Sequence, residues 1–338
     1  MPPPKRKGYA MANQEKMWAT LVHLGYNMWG DQVHRYIPKV LSHLSTDVMR
    51  VDEERWVEYT EILAQNGCNT LIVDVGEALR YESHPELAVE GTWSREKLQK
   101  DLARLRSIGF TEIIPKLNFG AGHDTWLKQY DHMLSSKIYY EVTRDLIHEA
   151  LEVFDTKHIH LGMDEEQYRF QNPTRRGLAI IRRRDGWWRD LYHLVNCAEE
   201  MNARAWVWSD PIWYNPDEFV RKMPKSVIQC NWYYGANFGN TPGELPSDHS
   251  TNCLGCFDLL DQHGFDQMPT GSNCYGAEQN LLDMTKFCWD HLDHDRFLGL
   301  MDAPWGTVRR QAKERQDRSA VHLGEARAWF EEQEKESK

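Results

Sequence analysis

Residues 158–167 read HIHLGMDEEQ: a short alternating run, a Leu-Gly pair, then Asp164, Glu165 and Glu166 in succession. The period of two through His158, Ile159 and His160 is that of a strand, and glycine is where a chain most easily turns away from a sheet. Three adjacent carboxylates are costly unless solvent, a counter-ion or a substrate meets them. Whether they are chemistry or a solvated turn depends on the sheet to which this strand belongs.

Outward from that stretch, β-rich runs alternate with amphipathic helical segments along the whole chain. Strands are predicted at 20–24, 70–75, 112–117, 158–162, 204–208, 227–231, 265–269 and 297–301. Helical periodicity falls at 53–65, 95–107, 140–154, 187–202 and 278–291, with a long charged stretch from 308 onward. Ser94 ahead of Arg95, Glu96 and Lys97 reads as a helix N-cap. Eight alternations fit a closed (β/α)8 TIM barrel better than a doubly wound α/β sheet. We therefore expect one α/β barrel domain over residues 16–338, after a flexible tail at 1–15. Long non-periodic stretches at 25–50, 166–184 and 232–252 each follow a strand, which in this fold is where the active face is built.

Composition bounds the function. The chain has 338 residues, 41% of them hydrophobic, and 51 acidic against 40 basic side chains give a net charge of -11. That balance disfavours nucleic acid and anionic membrane as partners, and no apolar run approaches a membrane span. Seven scattered cysteines argue for reduced thiols over a disulfide framework; Cys253 and Cys256, with His249 nearby, have zinc-site spacing but lack a second pair. Reduced thiols point to the cytoplasm, whereas a trimmed leader before the basic start MPPPKRK would point to export. Fourteen tryptophans stand out, and Trp29, Trp208, Trp213, Trp232 and Trp305 lie just beyond predicted strands, where indole rings can stack on a sugar.

On a barrel, Asp164 and Glu165 fall at the C-terminal end of strand four, where catalysis is placed. Asp74 and Glu77 follow strand two, Asp210 strand five and Asp302 strand eight. A ring of carboxylates among aromatics suits glycosidic bond cleavage: one acid protonates the leaving oxygen while a second group stabilises the anomeric carbon. Lys116 and Asn118 share a face at the end of strand three; a structural ion pair of Lys116 with Asp74 or Glu77 is the favoured reading, and an acidic sugar the alternative. His23, His160 and His123 are candidate metal ligands, but His160 lies on the strand alternation and reads as a packed barrel histidine, and only His123 reads as functional. Tyr26, Asn27, Trp29 and Asp31 open the first long loop, and Tyr233, Tyr234 and Asn237 the sixth, as a lid or an oligomer contact. Glu166 and the run Arg182-Arg183-Arg184 read as solvated positions.

The run His160-Leu161-Gly162-Met163-Asp164-Glu165 resembles the His-Leu-Gly-Gly-Asp-Glu signature of family 20 glycoside hydrolases, the β-N-acetylhexosaminidases, with methionine at the second glycine. Asn69-Thr70-Leu71, Arg80, His84-Pro85-Glu86-Leu87, Ile113-Ile114-Pro115 and Gly122-His123 keep that family's order, so residues 52–166 are covered well. Trp208, Gln229 with Trp232, Tyr275, Leu298-Gly299 and Trp305-Gly306 continue the likeness more thinly. The resemblance implies a (β/α)8 barrel and a retaining, exo-acting hydrolase in which the substrate's own 2-acetamido group attacks the anomeric carbon. It implies Glu165 as acid and base, Asp164 as partner of the acetamido group and Tyr275 as donor to its oxygen. Trp208, Trp232 and Trp305 would wall the pocket, with His123 in support; Asp74, Glu77, Asn118, Asp210 and Asp302 complete the expected carbohydrate-binding set.

Three positions depart from the family pattern. Leu24 stands where strand one carries an arginine, Asp74-Val75-Gly76-Glu77 replaces a His-x-x-Asp, and Thr307 replaces the glutamate of the terminal Trp-Gly-Glu. Kept acids with altered sugar-gripping positions imply an altered substrate. No cofactor or metal is implied. Other readings are a glycosidase for a sugar without an acetamido group, a metal-dependent sugar isomerase or lyase using Glu77, Asp164, Asp210 and His123, and a non-catalytic carbohydrate-binding barrel. The oligomeric state is left open.

Overall fold

The structure is a computed structural model that describes residues 15–30, 44–166, 182, 185–239 and 248–337, without the side chains of 248–251. The predicted tail at 1–15, apart from Glu15, lies outside the described residues, as do Asp31, Arg183, Arg184 and much of the first and fourth long loops. The first half of the barrel runs β1 (Met17–His23), α1 (Glu53–Gln65), β2 (Thr70–Asp74), α2 (Arg95–Ser107), β3 (Glu112–Lys116), α3 (Lys137–Phe154), β4 (His158–His160) and α4 (Gly186–Glu200). The second half runs β5 (Arg204–Trp208), α5 (Pro216–Lys222), β6 (Ile228–Cys230), α6 (Asp248–Gln262), β7 (Thr270–Gly271), α7 (Asn280–His291), β8 (Gly299–Asp302) and α8 (Lys313–Glu336).

All strands pair in parallel in the order β6-β5-β4-β3-β2-β1-β8-β7. The β6 and β7 sides are joined by short bridges: Met268 N–H donates to Gln229 O at 2.9 Å and Thr270 N–H to Asn231 O at 2.9 Å. The expected (β/α)8 barrel is therefore what the chain forms. Among the described residues no helix is long and apolar enough to cross a membrane.

Local chemistry explains the sharpest boundaries. Asp52 and Ser94 accept hydrogen bonds from the N–H groups of Arg55 and Lys97, capping α1 and α2 where the sequence places their starts. Alternation sorts the strand residues into two buried sets. Ala19, Leu21, Ile72, Ile114, Trp206, Ile228, Met268 and Met301 fill one cluster, the barrel interior. Trp18, Val22, Leu71, Val73 and Ile113 pack with the helices in the other.

Two differences from the expectation have physical causes. The strand expected at 265–269 is instead Thr270–Gly271, because Pro269 lacks an N–H and the preceding residues pair only through isolated bridges at Gln267. The stretch 232–252 is not one loop, since α6 begins at Asp248; Cys253 and Cys256 lie buried on that helix.

Candidate active site

The loop after β3 and the loop after β4 meet beyond the strand ends. His123 Nδ1 lies 3.2 Å from Asp164 Oδ1, and its Nε2 lies 3.4 Å from Glu165 Oε2. Glu165 N–H donates to Asp210 Oδ2 at 2.9 Å, which draws the loop after β5 into the same group. Asp164 is 6% and Asp210 0% exposed, whereas the Glu165 side chain keeps 25% of its surface. Burial, and then the neighbouring Asp164 carboxylate, pushes the Asp210 carboxyl well above the usual carboxylate range. Asp210 thus holds its proton more tightly than an exposed carboxylic acid does, which lessens the negative charge packed around Asp164 and Glu165. Trp29 closes on His123 edge to face, with ring centroids 6.0 Å apart.

An aromatic wall stands beside this group. Trp208 meets His160 at 4.7 Å, Trp232 at 5.5 Å and Trp305 at 6.2 Å between centroids, so it is buried beneath the two outer indoles. Trp305 Nε1 donates to the Tyr234 hydroxyl at 3.3 Å, and Tyr234 stacks on Tyr275. Tyr275 is 74% exposed and stands at the rim. Burial lowers the His23 imidazole to about 4 and holds the His160 imidazole well below its ordinary value, so both are neutral packing residues, as the sequence suggests for His160.

Four expected binding residues are not presented to the mouth. Asp74 accepts hydrogen bonds from Lys116 Nζ at 2.8 Å and from Asn118 Nδ2 at 2.9 Å, while Lys116 also reaches Asn118 Oδ1. All three are about 1% exposed, so the ion-pair reading of Lys116 holds and Asp74 and Asn118 are its partners. Glu77 is 2% exposed, and its Oε1 accepts the N–H groups of Tyr26 (2.8 Å) and Asn27 (3.2 Å). It pins the loop after β1, and burial raises its carboxyl to about 7. A Cβ on Gly25 would lie 2.9 Å from Glu77 Oε2, so the close approach depends on that glycine. Asp302 faces α8, where Ser319 Oγ donates to it; it lies one position out of phase with Met301 and Ala303 on the inner face.

Sequence reading also missed residues that hold the site. Glu166 and Arg182 are buried and paired with each other, because both reach inward under the loop instead of outward to solvent. Arg315 donates to the Trp305 carbonyl from the first turn of α8, a contact that the helical pattern of a charged segment does not reveal. Leu24, at the position where the resemblance expects a gripping arginine, is 1% exposed in the core. Among the described residues no three His, Cys, Asp or Glu side chains are arranged to hold a metal ion.

No protein-family model and no curated protein sequence matches the chain. Solved structures do. The β-N-acetylhexosaminidase from Bacteroides fragilis aligns over 91% of this chain and 65% of its own, with a TM-score of 0.59 and 11% identity. The fold is that of the hexosaminidase barrel. The Streptomyces plicatus N-acetyl-β-hexosaminidase gives 91% and 64% coverage, a TM-score of 0.59 and 9% identity. The exo-β-N-acetylglucosaminidase from Vibrio harveyi, determined with N-acetylglucosamine, gives 91% and 54%, 0.55 and 13%. The chain thus spans 54–65% of the length of these three enzymes.

Proposed function

We propose that the protein is a retaining, exo-acting glycoside hydrolase of the β-N-acetylhexosaminidase kind. Glu165 serves as general acid and then general base, and Asp164 orients the substrate's 2-acetamido group. The observation that carries this reading is the unequal burial of one constellation: Asp164, Asp210 and His123 are enclosed, and Glu165 alone of the three acids opens to the mouth beside the aromatic wall. An acid that delivers a proton to a leaving oxygen must reach it. An acid that steadies an internal nucleophile works better enclosed, where its charge is less screened.

In the mechanism that follows, the acetamido oxygen attacks the anomeric carbon while Glu165 protonates the departing oxygen; water, deprotonated by the same carboxylate, then opens the oxazolinium-type intermediate with overall retention. Asp164 holds the amide N–H and stabilises the positive charge. Tyr275 donates to the acetamido oxygen, and Trp232 and Trp305 flank the ring. Leu24 and Thr307, where the resemblance expects gripping residues, support a sugar with a different hydroxyl pattern. The deciding experiment compares cleavage of a chromogenic N-acetyl-β-glucosaminide and of the matching β-glucoside by the protein and by Glu165→Gln. Cleavage of the acetamido substrate alone, abolished in the variant, is expected. Equal cleavage of both substrates would replace the substrate-assisted mechanism, and cleavage of neither, nor of the matching N-acetyl-β-galactosaminide, would remove the hexosaminidase reading.

A further inference from the structure

The turn bearing Asp164 and Glu165 is held in a costly backbone conformation. Gly162 (φ 70°), Met163 (φ 71°) and Glu165 (φ 56°) all occupy the left-handed region. For the two that are not glycine this conformation is strained, and such a turn persists only where its surroundings over-determine it. The surroundings here converge on one ion pair. Glu166 Oε1 accepts the N–H of Ala121 at 2.8 Å, from the loop after β3, and the same oxygen is paired with Arg182 Nη1. Arg182 Nη2 donates to Phe119 O at 2.9 Å and to the Tyr139 hydroxyl at 3.1 Å, and Nη1 lies 3.5 Å from Met163 Sδ. On its far side Arg182 Nε lies 2.8 Å from Asp190 on α4, whose carboxylate also receives Ser135 and Tyr140. Trp187 Nε1 completes the set with a hydrogen bond to Met163 O at 3.3 Å.

These contacts join the two loops whose side chains make the candidate site. His123 sits on the first and Asp164 with Glu165 on the second. The loops pass so closely that a Cβ on Gly120 would lie 3.0 Å from Asp164 O. We propose that the Glu166–Arg182 pair is a positioning clamp: it sets the separation between His123 and the Asp164–Glu165 pair, and so aims the Glu165 carboxyl at the leaving oxygen. Neither residue touches substrate. The proposal rests on the reading of Glu165 as general acid, and a misplacement of about 1 Å in such a group can cost as much as 10²-fold in rate.

The test uses the dependence on leaving group. A glycoside with a poor leaving group, such as methyl, needs the acid, whereas a 2,4-dinitrophenyl glycoside departs almost unaided. Glu166→Ala removes both the Ala121 and the Arg182 contacts; Glu166→Gln keeps an acceptor for each. The expected result is a drop in kcat/KM, which reports departure of the leaving group, of about 10- to 100-fold on the methyl N-acetyl-β-glucosaminide for Glu166→Ala, with a drop under about threefold on the dinitrophenyl substrate. Most of the loss should be restored in Glu166→Gln. Equal losses on both substrates would mean a smaller folded fraction and overturn the clamp, as would a folded Glu166→Ala protein with unchanged rates. If the unaltered protein cleaves neither substrate, the reading of N-acetyl-β-glucosaminide as its substrate fails separately. The clamp is then decided by the NMR signals of the His123 ring protons: displaced in Glu166→Ala and returned in Glu166→Gln if it exists, unmoved in both if it does not.

Discussion

Asp74, at the end of β2, is met by the Lys116 ammonium at 2.8 Å and by the Asn118 amide, and only about 1% of it is exposed. Asp164 and Glu165, just past the end of β4, are met by the His123 imidazole, and Glu165 keeps a quarter of its side chain open. Both groups are carboxylates at the mouth end of the two strands that flank β3, so position alone does not separate them. The counter-ion does. A buried ammonium at hydrogen-bonding distance fixes a carboxylate's charge and uses up its lone pairs, whereas an imidazole can take or release a proton near neutral pH and leaves room for a reacting group.

That comparison can be broken or sharpened by substitution. Glu165→Gln should cost about 10³- to 10⁴-fold in kcat/KM on an unactivated N-acetyl-β-glucosaminide, some 4–5.5 kcal/mol of transition-state stabilisation, while thermal unfolding stays where it was. A large loss of stability in that variant would place Glu165 with the structural carboxylates. Lys116→Met should do the reverse. It leaves Asp74 buried without its cation, a loss of about 3–5 kcal/mol in denaturant-induced unfolding, and a protein of unchanged stability would show that the knot is not what holds β2 to β3.

Asp302 tests a third kind of carboxylate, buried with Ser319 and raised by burial to about 7. The folded chain binds this proton more tightly than the unfolded chain, so its contribution to stability is full below about pH 4 and is lost as the pH rises through about 7. Asp302→Asn should flatten that fall and raise stability at pH 8 by on the order of 2 kcal/mol, measured by urea unfolding across the range. A slope unchanged by the substitution would contradict the raised value. The smallest effect is expected at the rim: Tyr275→Phe should raise KM for the acetamido substrate about two- to tenfold, the worth of one hydrogen bond, with no effect on inhibition by the uncleaved β-glucoside. Equal changes on both would remove Tyr275 as a partner of the acetamido group.

Much of the barrel was legible because periodicity and caps are local properties. Ser94 marks the start of α2 in the sequence and caps it in the structure, as Asp52 caps α1. The strand before Asp164 was readable from its alternation, and the same alternation carried the signal for Asp302, which falls between inward-facing Met301 and Ala303. What was not legible depends on contacts between distant positions. Nothing in a run of three carboxylates says that the third turns under the loop to meet an arginine 16 residues on, or that Glu77 spends its oxygen on the amides of Tyr26 and Asn27. Charged residues look solvated in sequence by default, and burial with a partner becomes visible only once the loops are packed.

The wall of the barrel is unevenly paired, and this bears on which part of it opens first. β1 and β2 are zipped by five residue pairs, as are β2 and β3, whereas β7 shares two with β8 and meets β6 only through isolated bridges. Amides of Gln229, Met268 and Thr270 should therefore exchange with deuterium well before those of Leu21 and Val73, because parting that seam breaks fewer bonds than unfolding the whole. The seam carries Trp232 and Tyr233 at its upper end, where Tyr233 N–H is tied to Thr270 O at 3.1 Å. Opening of that seam would move the Trp232 side of the aromatic wall before the β1–β2 ladder parts.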